Sequence, residues 1–383
     1  MTKRQAFRGR RVISSERYAH ENEVYKRIWR INEAIRSDDV ETLRSIGRDG
    51  GGFINNSLRR RVWPVLLQCN ISDDLVKTED DEHEEHVDEK QVQLDVDRSL
   101  NAYPQGLDET SKKEKQDELN ELIVEVLRRN KSLHYYQGFH DICTVFLLIF
   151  GKKAAVDLVE QVTLFFLRDA MLDSMDPILR QVTLLDTLYQ HEDQQISSFL
   201  QEANVLPYYC LSWVITWCSH DIDDFSVIPR LFDLFLSSNP LMPVYFAAAI
   251  VLSHKEELLQ QECENSAIHT FLSKLPQKPL DVEALIAKAT QLEESYPPIQ
   301  LQRKAHIGLD ETSSVNTWGD EKPVAEARDQ ARKILRMEPS ERRPLAVAPM
   351  NSRQEQRMRQ MIAIVAAVGI GVAAAALASA RYV

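Results

Sequence analysis

Ser111-Lys-Lys-Glu-Lys-Gln-Asp-Glu-Leu-Asn-Glu-Leu-Ile-Val-Glu-Val-Leu-Arg-Arg-Asn130 places Leu119, Leu122, Ile123, Val126 and Leu127 at the three-and-four spacing of one helical face. Ser111 with Glu114 three residues on reads as a capping box, and Asn130 as the end of the helix. The same rhythm continues downstream. Ile142–Phe150 is apolar but short and broken by Cys143 and Thr144, so it reads as a buried core helix rather than a membrane span. Helices are predicted near 155–172, 178–190, 207–219, 225–237 and 242–259, with Pro207, Pro229, Pro240 and Pro243 at or near the joints. Strand-like alternation bounded by hairpin turns is absent from this region. The expectation is one all-α domain over 45–295, preceded by an N-terminal helical region at 1–44.

Upstream, Val24, Ile28, Ile31 and Ile35 predict one helix, and Val40, Leu43 and Ile46 a second after an Asp38-Asp39 cap. Gly50-Gly51-Gly52 lacks the Gly-Lys-Ser/Thr of a phosphate loop and reads as a mobile turn. Ser57 is expected to cap a short helix through Arg59-Arg60-Arg61-Val62-Trp63 that Pro64 breaks. The arginine run is open to two readings, a solvated face or a grip on an acidic partner. Residues 73–90 are mostly acidic and are expected to form an exposed loop. Their His83-Glu84-Glu85-His86 misses the spacing of a zinc protease, since Val87 stands where the second histidine is needed.

The chain of 383 residues has a net charge of −12, which argues against a nucleic-acid partner. Five cysteines without a Cys-x-x-Cys pair indicate neither a disulfide framework nor a zinc knuckle. From 296 to 360 composition turns polar with scattered prolines, and this stretch is expected to be a tether with one helix around 324–336. Met361–Ser379 has no charge and, as a helix, spans ~28 Å, about one hydrocarbon thickness. Arg353, Arg357 and Arg359 precede it and only Arg381 follows it, so it reads as a transmembrane tail anchor with the rest of the chain cytosolic. Its length and alanine content suit a thin bilayer such as that of the endoplasmic reticulum. Gly369 with Ala373, or Gly371 with Ala375, have the spacing that packs a partner membrane helix.

Two short segments flank the 111–130 helix: Val92-Gln-Leu-Asp-Val-Asp-Arg98 and Tyr135-Tyr-Gln137-Gly138. By spacing alone, Asp95 and Arg98 can be a surface ion pair and Gln137 an ordinary loop residue. A second reading is open. A GTPase site is completed by a cation that meets charge developing on the phosphates and a polar group that holds the attacking water. Arginine suits the first task through its fixed, always-charged fork, and glutamine the second through an amide that both donates and accepts.

Val92-x-x-Asp95-x-x-Arg98 resembles the Ile-x-x-Asp-x-x-Arg motif of TBC domains, the Rab GTPase-activating family, and Tyr135-Tyr136-Gln137-Gly138 resembles their Tyr-x-Gln motif. Arg61-Val62-Trp63-Pro64 is similar to an arginine-and-tryptophan region near the start of such domains. Pro229-Arg-Leu-Phe-Asp-Leu-Phe-Leu236 is similar to a late segment in which tryptophan is common at the position of Phe232. The resemblance covers roughly residues 45–275. With His134-Tyr-Tyr-Gln-Gly-Phe-His-Asp-Ile142, Leu241-Met-Pro-Val-Tyr-Phe-Ala-Ala247 and the apolar C-terminus, it looks most like the family's tail-anchored, endoplasmic-reticulum branch, which acts on the Rab of ER-to-Golgi traffic.

The resemblance implies an all-helical fold with a Rab-binding groove and a dual-finger mechanism. Arg98 would stabilise transition-state charge, Gln137 would position water, Asp95 would orient Arg98, and Tyr135 would hold the loop bearing Gln137. GTP and Mg²⁺ would arrive with the Rab, so no cofactor of the chain's own is expected. The rival reading is a non-catalytic helical adaptor, anchored in the same membrane, that binds a Rab or membrane-shaping proteins.

Overall fold

The computed structural model describes residues 22–69, 84–101, 103–104, 106, 108–319 and 323–379, the side chains of 366 and 368–379 excepted. Among the described residues the structure is helical, with one isolated β-bridge between Asp310 and Pro344. The N-terminal unit is α1 (22–36) and α2 (Val40–Arg48), where Asp39 caps α2 by accepting the Thr42 N–H at 2.9 Å. Next come α3 (Asn56–Leu66), α4 (Glu89–Val96), α5 (Glu109–Arg129), α6 (Phe139–Phe150) and α7 (Lys152–Phe165). The chain continues through α8 (Asp176–Glu192), α9 (Gln194–Glu202), α10 (Leu211–Ile215), α11 (Ile228–Leu236) and α12 (Met242–Ser253). The rest is α13 (Lys255–Leu259), α14 (Asn265–Ser273), α15 (Val282–Ser295), α16 (Pro298–Ala305), α17 (Val324–Leu335) and α18 (Ser352–Ser379).

The core is built around helices with no solvent face. Every residue of α12 from Met242 to Val251 is buried, and α6 buries nine of its twelve, which is why the Ile142–Phe150 run is so apolar. α15 packs along α12, while α5 and α7 enclose α6.

The start of the domain departs from its sequence reading in four places. Asn55, not Ser57, caps α3, accepting the Leu58 N–H at 3.0 Å. α3 runs on past Pro64 to Leu66, because a proline there forfeits one hydrogen bond while Trp63, Leu66 and Leu67 are all buried. The three arginines divide: Arg60 and Arg61 are exposed, as a solvated face requires, and Arg59 is not. Arg59 is buried against Asp233 of α11, Arg60 donates to the Ile149 carbonyl, and Arg61 donates to Asn32 at 2.7 Å. Finally, the triple glycine is clamped rather than mobile. Arg27 Nε donates to the Gly52 carbonyl at 3.0 Å. Gly52 has a φ of +46°, and a Cβ there would lie 2.6 Å from Asp233 Oδ2.

Asp233 is the hub of this corner. It has no exposed surface and accepts from Arg59 Nε at 3.0 Å, Arg59 Nη2 at 2.9 Å, Trp63 Nε1 at 2.9 Å and the Phe53 N–H at 3.1 Å. Trp63 stacks on Phe232 at 5.9 Å and meets the edge of Phe146 at 5.4 Å. Phe232 thus supplies the aromatic contact for which the resemblance led us to expect a tryptophan.

The stretch 296–360 is not the tether its polarity suggests. α16 lies on α8, and Gln302, fully buried, donates to Asn316 Oδ1 at 2.7 Å and accepts from the Leu309 N–H at 2.9 Å. Ser314 N–H donates to Asp169 at 3.1 Å, and Trp318 packs edge-on against Phe166. α17 binds α7 through Arg332 to Glu160 at 3.0 Å and Arg328 to Gln161 at 2.8 Å. α18 then docks on α8. Arg357 Nη2 donates to Asp186 and to the Val205 carbonyl, both at 2.9 Å, and Met358 and Met361 are buried. The polar residues of this stretch are spent on buried partners, which composition cannot reveal.

Among the described residues no helix is long and apolar enough to cross a membrane. Most side chains of the 361–379 anchor reading lie outside the described residues, as does the acidic stretch from 70 to 83. The end of that acidic stretch is ordered into the domain. His86 is buried, Asp88 accepts the Tyr135 N–H at 2.8 Å, and Glu89 pairs with Arg128.

Candidate functional site

α4 carries the first motif and is clamped to α5 at both ends. At its N-terminus Glu89 takes two hydrogen bonds from Arg128, each 2.7 Å. Beyond its C-terminus Gln116 Nε2 donates to the carbonyls of Asp97 and Ser99 at 3.2 and 3.3 Å. α5 itself starts one turn earlier than its sequence suggests: Asp108 is the cap, accepting the Ser111 N–H at 2.8 Å, and Glu109 is its first residue. Asn130 ends it. Val92, Asp95 and Val96 face inward from α4. Arg98 follows on the helical turn closed by its N–H to the Asp95 carbonyl at 3.1 Å and is exposed.

The second motif lies on the turn between α5 and α6. Gly138 has a φ of +105°, and a Cβ there would lie 2.8 Å from Thr216 Cγ2. Only glycine satisfies both constraints, and it reverses the chain so that Gln137 faces solvent while Phe139 starts α6 inside the core. Tyr136 is buried and donates to the Ile215 carbonyl at 2.7 Å, fixing this turn to α10.

Forty residues apart in sequence, the two motifs meet through Tyr135 and Asp95. The Tyr135 hydroxyl donates to Asp95 Oδ2 at 3.0 Å and lies 3.1 Å from His140 Nδ1. Burial and the neighbouring Asp95 charge push the phenol well above its usual range, so it stays a donor. The other oxygen of Asp95 accepts from Gln91 Nε2 at 3.0 Å. Held by Tyr135 and Gln91 through its carboxylate, and accepting the Arg98 N–H at its carbonyl, Asp95 fixes the turn that bears Arg98.

Arg98 and Gln137 thus stand exposed on two segments joined through Tyr135, whose hydroxyl donates to Asp95 and whose N–H donates to Asp88. Among the described residues neither side chain makes a hydrogen bond or ion pair. This differs from the surface-pair reading of Asp95 with Arg98. Both side chains are exposed and, among the described residues, neither is tied to the rest of the domain, so both are open to contact with a second molecule.

The sequence reading gave no role to Gln91, His140, Asp141 or His220. Gln91 was findable from its four-residue spacing to Asp95. His220 had no local signal, since its partner Asp141 is 79 residues away, at 2.9 Å from Nδ1. That hydrogen bond to Asp141 pushes His220 up from 6.5 to about 9. Burial raises the adjacent Asp221 from 3.8 to about 6. Both groups bind protons more tightly in the folded chain than in the unfolded one. Their contribution is full below the unfolded values and is lost as pH rises through the folded ones. Thermal stability is therefore expected to decline between pH 6.5 and about 9. His220→Asn should flatten that decline, as read by melting curves across the window. An equal slope in both proteins would refute the pairing.

The chain belongs to the Rab-GTPase-TBC domain family, which matches residues 56–259. It is 37% identical over 323 residues to TBC1 domain family member 20 of Homo sapiens, covering 82% of this chain and 80% of that protein. It is 36% identical to GTPase-activating protein gyp10 of Schizosaccharomyces pombe, covering 64% of this chain and 66% of that protein. The solved Ypt/Rab-GAP domain of Gyp1p has the same fold, with a TM-score of 0.56 at 19% identity, covering 71% of this chain and 99% of that domain.

Proposed function

We propose that this chain is a GTPase-activating protein for a Rab of ER-to-Golgi traffic, acting through Arg98 and Gln137 from the endoplasmic-reticulum membrane. Rab GTPase activation follows from the family, whose relatives include proteins named as GTPase activators. The observation that carries the two-residue mechanism is the Tyr135–Asp95 hydrogen bond, which joins the turn bearing Arg98 to the turn bearing Gln137.

In this mechanism the chain binds no nucleotide of its own, and GTP and Mg²⁺ arrive in the Rab. Arg98 enters the Rab's nucleotide site and bridges phosphate oxygens as charge develops on them. Gln137 takes over the alignment of the attacking water, accepting its hydrogen while donating to the phosphoryl group. Tyr135 and Asp95 hold both turns at a fixed separation, so the pair is already in place when the Rab docks. The membrane part of the proposal rests on the uncharged 361–379 stretch and the arginines before it. A partner membrane helix at its small residues belongs to the same proposal.

Single-turnover GTP hydrolysis on a panel of GTP-loaded Rabs tests the reading with the full-length chain in detergent. The full chain is the right material because ending it at residue 355 would remove buried Met358 and Met361 and uncover the α8 surface on which they pack. Strong acceleration of one Rab supports the proposal. Tight binding to a Rab without acceleration would overturn it in favour of the adaptor.

A further inference from the structure

The outer side of α4 is unusual for a solvated helix. Val92, Asp95 and Val96 point inward, leaving Lys90, Gln91, Leu94 and Asp97 to form an outer stripe that Arg98 ends. Val87 precedes that stripe in the turn before α4 and is 83% exposed, and Leu94 is 42% exposed. Few large hydrophobic side chains stay exposed among the described residues: Tyr25, Trp29, Ile299 and these two. Single exposed apolar residues need no explanation, but two on one face leading to Arg98 do.

Geometry sets what covers them. Four residues of helix advance ~6 Å, about the reach of an arginine side chain. A partner whose pocket receives the Arg98 guanidinium must therefore also lie over Leu94, and its surface continues toward Val87. The inner side of α4 is fixed by the Asp95 bonds and the two clamps to α5, so the stripe is a rigid face rather than a mobile loop. Rigid aliphatic groups on a fixed face lose little entropy when a partner settles on them.

We propose that Val87 and Leu94 form the apolar half of the docking surface for the GTPase. They would seat against a complementary apolar patch beside its nucleotide pocket, while Arg98 supplies the charge. This inference rests on the GTPase-activator reading and adds a division of labour to it. Val87 and Leu94 set how tightly the GTPase is held, and Arg98 and Gln137 set how fast the bound GTP is cleaved.

Steady-state hydrolysis on a purified, GTP-loaded Rab of ER-to-Golgi transport separates these roles, using Val87→Ser, Leu94→Ser, the double variant and Arg98→Ala. Both apolar residues are exposed, so unchanged melting temperatures are expected. The double variant is expected to raise KM about tenfold or more while kcat stays within about twofold. An unchanged KM, or a fall in kcat without a rise in KM, overturns the docking role. If Arg98→Ala is inactive while the double variant behaves as wild type, only this inference fails. If Arg98→Ala keeps its full rate, the activator mechanism fails and this inference with it.

Discussion

Arg98→Ala is expected to lower GAP-stimulated single-turnover hydrolysis by ~10³–10⁵-fold, equivalent to roughly 4–7 kcal/mol of barrier, with no change in melting temperature. The split follows from where the side chain stands. Arg98 is exposed and among the described residues makes no hydrogen bond or ion pair, so folding loses nothing when it is removed. In the proposed mechanism its whole effect falls on the transition state. Arg98→Lys is expected to recover little of the rate, because an ammonium is a point charge that cannot bridge two phosphate oxygens in one plane. Gln137→Ala should also slow hydrolysis strongly, since its amide supplies a donor and an acceptor together. Rapid-mixing phosphate release measures all three. Wild-type rates in both alanine variants would end the two-residue mechanism.

The parts of this fold that could be read from sequence share one property: their signal is local. α5 announces itself through an apolar residue every three or four positions, and α6 through its dense, short apolar run. Position along the chain was less secure. Asn55 and Asp108 cap their helices where Ser57 and Ser111 looked equally suitable, because several polar residues near a helix start compete for one role. The candidate site was legible only as two motifs. What joins them, Tyr135 to Asp95, spans forty residues and leaves no periodic trace. The same blindness explains 296–360. A buried glutamine such as Gln302 and a buried arginine such as Arg357 look in sequence like the polar residues of a linker. The Arg357 partner Asp186 lies far away along the chain, and the nearer partners of Gln302, Leu309 and Asn316, follow no periodic spacing. With α18 docked through Arg357, Met358 and Met361, the domain and the start of that helix form one packed unit rather than a bead on a string.

Asp233→Ala is expected to cost about 3–5 kcal/mol of folding stability, a large share of the ~5–15 kcal/mol that a domain possesses. The residue has no exposed surface and serves four donor groups: two nitrogens of Arg59, the Trp63 indole and the Phe53 backbone N–H. Removing its carboxylate strands the Arg59 charge in a site that water does not reach, and an unpaired buried charge is the costliest defect available there. Asp233→Asn separates charge from hydrogen bonding. It retains one acceptor oxygen, for either the Trp63 indole at Oδ1 or the Phe53 N–H at Oδ2, turns an NH2 toward the other, and offers Arg59 no counter-charge, so its loss should remain well above ~1 kcal/mol. The double variant Arg59→Met with Asp233→Leu should regain part of the stability. The buried cation is then gone, while Trp63 and the Phe53 N–H still lack an acceptor. Urea denaturation followed by far-UV circular dichroism gives all three values. Equal stability in Asp233→Ala and the wild type would mean that the late Arg-Leu-Phe-Asp segment is not the structural hub its hydrogen bonds describe. The predicted order is wild type, then the double variant, then Asp233→Asn, then Asp233→Ala. Such an order would place this motif in the scaffold that holds the exposed pair, and outside the chemistry itself.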